Sequence, residues 1–226
     1  MVGRIQCKQE RGRSHPREER FSGLPVLTAE LFVQAGAGER RLEHRMNRVE
    51  QMFRRAGICR VLLPSRFPYR RQLSFLHPVD PMPLYRAAAD LLVQETLRRK
   101  GIPLCGARVA LAAPRLCPEL RAAAERLCPT VRELRIDVPG EEGEAFARYL
   151  QYEFGVPVVP RQLAVDTVAA FGETGEEADL CLWGEREICL RAAGLDLPEE
   201  IEQPLLALLW ERGSVKRDAL RVINLP

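Results

Sequence analysis

Apolar positions in this chain follow two alternating rhythms. Short, nearly continuous apolar runs at 26–34, 59–63, 76–79, 109–113, 131–138 and 156–159 read as strands. Between most of them lie longer stretches whose apolar residues return every three or four positions, the repeat of a one-sided helix. In 39–56, Leu42, Met46, Val49 and Phe53 are spaced by four, three and four, which predicts a helix with one buried face, ended by Gly57. Residues 83–100 predict a second helix, with Leu84, Ala88, Leu91 and Leu92 inward. Its Pro83 is tolerated in the first turn, and Arg98, Arg99 and Lys100 complement the dipole before Gly101. Further helices are predicted over 118–127, with Leu120, Ala123, Ala124 and Leu127 buried, and over 141–154, with Phe146, Tyr149 and Leu150 inward. The last helix is placed at 204–212, and 64–75 reads as a short helix or ordered loop.

Strands alternating with helices of this length require parallel pairing, because a hairpin cannot close a parallel pair. Past Pro160 the rhythm changes. Runs at 165–171, 180–183 and 188–192 are separated only by short turns, which predicts an antiparallel edge, and 220–225 can supply a final strand. The expected architecture is α/β, three-layered and Rossmann-like, mostly parallel with an antiparallel C-terminal portion. Residues 1–23 are polar, carry Arg4, Lys8, Arg11, Arg13, Arg17 and Arg20, and show no periodicity, so a disordered basic tail is expected there. The remainder, 24–226, is expected as one domain, with lobes 24–104 and 105–226 as the option.

With 226 residues and 46% apolar content the chain can bury a sizeable core. Its net charge is only +3, so no molecule-wide field draws in polyanions. All but three of its 34 basic residues are arginine. Guanidinium groups suit phosphate, but an arginine-rich, alanine-rich and leucine-rich composition is equally what a GC-rich bacterial genome encodes. The seven cysteines are widely spaced, with no metal-chelating pair and no disulfide signature; Cys59, Cys105 and Cys181 sit in or beside apolar runs and read as reduced core residues. No segment has the length of a signal peptide's apolar core or a membrane span, so a cytoplasmic protein without membrane contact is expected.

The chemistry is less legible. Gly36 and Gly38 stand between a strand and a helix, where a dinucleotide's pyrophosphate would rest, but the third glycine position is Arg41. Ser65 and Arg66 follow the next strand, a placement suited to a phosphate. The turn at Ala112, Ala113, Pro114, Arg115 and Leu116 lacks glycine, and its proline offers no amide. No phosphate-loop lysine, nucleophile elbow or kinase signature occurs. Asp80 and Asp137 fall at the carboxyl ends of predicted strands, where they would share a metal or proton if those strands were neighbours; as turn residues before proline or helix they equally cap backbone amides. His15, His44 and His77 lack a second histidine at ligand spacing.

On the 39–56 helix, Arg41, Arg45, Arg48 and Arg55 form a stripe that could track a nucleic-acid backbone. Glu39, Glu43 and Glu50 dilute it, and aromatic residues are only 6% of the chain, so nucleic acid is not the expected partner. The succession resembles nucleotide-binding α/β proteins in architecture, which hosts many functions and fixes none. The leading expectation is a non-catalytic ligand-sensing or protein-interaction module, its partner a small molecule or a protein and its cofactor unassigned. The alternative is an enzyme acting on a nucleotide or phosphorylated metabolite through Ser65, Arg66, Asp80 and Asp137.

Overall fold

A computed structural model describes residues 1–10, 12, 15–33, 39–64, 67–160, 163–175, 177–184 and 188–225. The chain is a mixed α/β fold with mostly parallel sheets and a separate two-stranded antiparallel sheet. It divides into two compact units, Met1–Pro81 with Ala192–Lys216, and Met82–Arg191 with Arg217–Pro226. The first boundary thus falls at Pro81, and not at position 104, where the optional lobes would divide.

The first unit opens with β1 (Val2–Lys8), β2 (Arg17–Phe21) and β3 (Leu24–Phe32), followed by α1 (Glu39–Arg55), β4 (Arg60–Leu62) and β5 (His77–Pro78). Its five strands run in the order β2-β3-β1-β4-β5, and only β2 is antiparallel to its neighbour. This corrects the expected disordered tail. Val2–Lys8 is the central strand, paired with β3 from Val2↔Val26 to Lys8↔Phe32 and with β4 at Gly3↔Val61. The reason is electrostatic as much as hydrophobic. Buried Arg4 donates through its two terminal nitrogens to Glu19 (3.4 Å) and Glu200 (3.3 Å), while the Thr28 hydroxyl donates to Glu19 (2.6 Å), so the charge of a polar residue in the middle of a sheet is paired even though its Nε finds no acceptor among the described residues. β2 and β3 form a hairpin through Ser22 and Gly23, both at positive φ (47° and 82°), as two-residue hairpin turns demand.

α1 lies on one face of this sheet. Leu42, Met46, Val49 and Phe53 are buried with Ile5, Ala29, Leu31 and Val61, as the spacing predicted, and each such side chain contributes about 1.5–3 kcal/mol. Gly3 makes the approach possible: a Cβ there would stand 3.0 Å from the Phe53 ring. The Arg4–Glu200 pair puts the turn at Glu199–Ile201, and so the start of α6 (Glu202–Glu211), on the opposite face.

The second unit carries α2 (Met82–Ala87) and α3 (Ala89–Arg99), then β6 (Arg108–Ala112), α4 (Pro118–Leu127), β7 (Glu133–Asp137) and α5 (Glu141–Phe154). β8 (Thr167–Ala170), β9 (Leu180–Cys181), β10 (Cys189–Ala192) and β11 (Leu220–Asn224) complete it. The helix expected over 83–100 is broken at Ala88 (φ −98°, ψ 14°). β7-β6-β8-β9 pair in parallel throughout, so 165–171 and 180–183 extend the parallel sheet. The antiparallel C-terminal element is β10 with β11 instead. The run at 156–159 reaches the sheet only as a bridge from Val158 to Leu134. Phe146 and Leu150 are buried on α5, whereas Tyr149 is exposed and stacks on Phe146 at 6.0 Å.

Candidate functional site

Open α/β sheets present ligands with the loops beyond their strands' carboxyl ends. In the first unit the connection from β4 to β5 forms such a rim, and α1 builds it. Glu50, buried on α1, accepts hydrogen bonds from the Ser74 hydroxyl (2.6 Å) and the backbone amides of Ser74 (2.8 Å), Phe75 (3.1 Å) and Leu76 (3.4 Å). Burial would raise the Glu50 carboxyl, but the Ser74 hydroxyl and these three amides outweigh it and hold the group below the ordinary glutamate value. Arg54 lies over the Phe75 ring at 4.6 Å, and Phe67 meets Tyr69 edge-on at 5.8 Å.

The loop so held bounds a cleft of about 330 Å³ lined by Arg70, Leu73, Leu76, Pro78, Val79 and Asp80. Leu76 and Val79 are buried and give it an apolar floor, while Arg70 and Asp80 are exposed at its rim. Such a cleft can seat a small molecule by its apolar body and orient it with one cation and one carboxylate. Among the described residues it is lined by a single carboxylate and by no serine, cysteine, histidine or lysine.

At the carboxyl edge of the second unit's parallel sheet, the loops beyond β6 and β8 approach closely. The chain places β7 on one side of β6 and β8 on the other, the arrangement that opens a ligand crevice in nucleotide-binding folds. Here the chain leaving β8 lies against the chain leaving β6. The Phe171 amide donates to the Ala112 carbonyl (2.8 Å), and Gly172 sits so close to Pro114 that a Cβ would come within 2.7 Å of its ring. The turn from β7 into α5 has glycines at 140 and 143, but Glu141, Glu142 and Glu144 occupy the helix's first turn. Carboxylates there satisfy the dipole and repel a phosphate.

Of the residues singled out from sequence, Asp80 lines the cleft, on the unit that holds β5. Asp137 belongs to the other unit and to the other sheet, so the strand adjacency needed for a shared metal or proton is absent. Its carboxylate is buried against Arg135 (2.7 Å). Ser65, Arg66, Gly36 and Gly38 lie outside the described residues. Among the described residues, no group of three or more His, Cys, Asp or Glu is placed to hold a metal. Among the described residues, no helix is long and apolar enough to cross a membrane.

The cysteines differ from expectation: Cys59 and Cys105 are exposed, Cys181 is half-buried and Cys128 is the buried one, its thiol pushed up to about 11 by burial. Arg45 donates to the Phe32 carbonyl at the end of β3, so it is not part of a free stripe. From sequence, Glu50 counted only as one of the carboxylates that dilute the arginine stripe. The missed signal was its position: Glu50 directly follows Val49, on the edge of the apolar stripe.

No protein-family profile matches the chain, and neither does any curated protein. Among solved structures, L-tryptophan dehydrogenase from Nostoc punctiforme is similar at 18% identity and a TM-score of 0.32, over 66% of this chain and 46% of that one. This chain therefore spans less than half of that protein's length. The fold class rests on the strand pairing of the chain itself.

Proposed function

We propose that the protein is a non-catalytic module that senses a small anionic molecule at the carboxyl rim of β4 and β5. The observation that carries this reading is the cleft bounded by Arg70 and Asp80, whose supporting loop is tied to α1 through a buried carboxylate. In this reading Arg70 meets the anionic group, Asp80 accepts from a donor on the ligand, and Leu73, Leu76 and Val79 contact the apolar body. A single carboxylate among the described lining residues favours recognition over acid–base chemistry, which needs a partnered proton donor and acceptor.

The test is a thermal-shift panel of nucleotides, phosphorylated metabolites and small carboxylates, with turnover followed in parallel. A ligand at a hundred times its Kd stabilises the native state by about 2.7 kcal/mol, a rise of roughly 5–10 °C for a chain of this size. Arg70→Ala and Asp80→Asn should remove the rise, each measured against its own unliganded Tm. Ligands that shift both variants as strongly as the parent, or that are turned over, would overturn the reading.

A further inference from the structure

We infer that the outward face of α1 is a second binding surface, for the phosphate backbone of a nucleic acid, separate from the cleft. Successive helix residues rotate by about 100°, and Leu42, Met46, Val49 and Phe53 fix the inward direction. Opposite them stand Arg40, Arg41, His44, Asn47, Arg48, Gln51 and Arg55, all exposed. No carboxylate falls among these positions. Glu50 is buried under the 74–76 loop, and Glu43 lies toward that same flank, so the dilution expected from the bare sequence is mostly turned away from this face.

Arg40, Arg41, Arg48 and Arg55 have no carboxylate within 4 Å among the described residues. Among the described residues these guanidinium groups are therefore not spent on ion pairs. Arg41, Arg48 and Arg55 recur every seven residues, about 10.5 Å apart along the axis, with Arg40 and His44 filling the intervals. The field is local. Met1–Pro81 holds sixteen basic against eight acidic residues, although the whole chain is close to neutral. The rest of that unit, Ala192–Lys216, is acidic on balance, but its Glu200 and Glu211 are committed to Arg4 and Arg60.

The chemistry of the face selects among polyanions. Arginine offers a planar fork that matches a phosphate, and Asn47 and Gln51 add neutral donors between the charges. A membrane-surface helix would need its apolar face available, whereas here that face is the core of the unit. An acidic protein segment shares the charge but not the even phosphate repeat, and is an outcome of the test.

The experiment is fluorescence anisotropy of the full chain with a labelled 20-nucleotide single strand and a 20-base-pair duplex, from 50 to 300 mM salt. Polyglutamate and phosphatidylserine vesicles are the competing arms. The expected result is binding whose logarithm falls linearly with the logarithm of salt, without strong dependence on base sequence. Arg41→Ala, Arg48→Ala and Arg55→Ala together should weaken single-strand binding at least tenfold and make the salt slope shallower by about 2, at about 0.7 per lost phosphate contact. Removing Arg98, Arg115 and Arg148 from the second unit deletes the same charge and should leave both quantities near the parent's. The α1 triple variant should keep the parent's Tm and its small-ligand shift, so this surface and the cleft fail or stand independently. No binding at 50 mM salt, equal loss in the two triple variants, or capture by polyglutamate or vesicles in preference to nucleic acid would each overturn the inference.

Discussion

Replacing Glu50 tests the central structural claim, that a buried carboxylate on α1 shapes the candidate site. In Glu50→Ala four donors lose their acceptor: the Ser74 hydroxyl at 2.6 Å and three amides at 2.8, 3.1 and 3.4 Å. Hydrogen bonds to a charged group contribute about 1.5–3 kcal/mol each, and a buried donor left unmet costs about as much. The two short bonds carry most of this. Water can reach the exposed Ser74, but not Leu76, so the net cost is set at about 3–5 kcal/mol. For a chain of this length that is a fall in Tm of roughly 10 °C.

Glu50→Gln keeps one acceptor oxygen, and the Ser74 hydroxyl can turn to accept from the new amide, so about 1–2 kcal/mol is expected. The variants also differ in acid. Because the folded carboxyl titrates below its unfolded value, its contribution is complete above about pH 4.3 and is lost as pH falls through the folded value. The parent should therefore weaken below about pH 4.3, while Glu50→Gln loses less over the same range. Thermal unfolding from pH 3 to 7, with amide exchange of 74–76, reads both effects. An alanine variant within about 1 kcal/mol of the parent, or a glutamine variant that follows the parent through acid, would refute the reasoning.

Two further predictions concern the second unit. Gly172→Ala forces a methyl into Pro114 and should cost about 1–3 kcal/mol as an overpacked contact, read by urea unfolding; an unchanged midpoint would mean that the two loops do not approach so closely. Arg135→Ala removes a charged hydrogen bond to the buried Asp137 carboxylate and should cost about 1.5–3 kcal/mol, while Asp137→Asn should destabilise the chain without altering the small-ligand shift. Loss of that shift in a still-folded Asp137→Asn would return Asp137 to the binding site.

Periodicity alone located most helices and strands, because a buried face imposes its repeat on the side chains wherever the chain meets one core. Leu42 to Phe53 and Val109 to Ala112 were legible for that reason, as was the mostly parallel character of the sheets, though not the central place of Val2–Lys8 or the parallel pairing of β8 and β9. Three features were decided only by the fold. Val2–Lys8 looks polar in isolation, yet Arg4 is admitted to the sheet because Glu19 and Glu200, 15 and 196 residues away, arrive to pair it. Glu50 reads as a surface residue until the 74–76 loop closes on it. Asp80 and Asp137 look equivalent as carboxylates ending strands, but pairing sends one to an open rim and buries the other against Arg135 in a different sheet. Local repeats report which side of an element is buried; which distant charge meets which depends on strand order, and no window along the chain contains that.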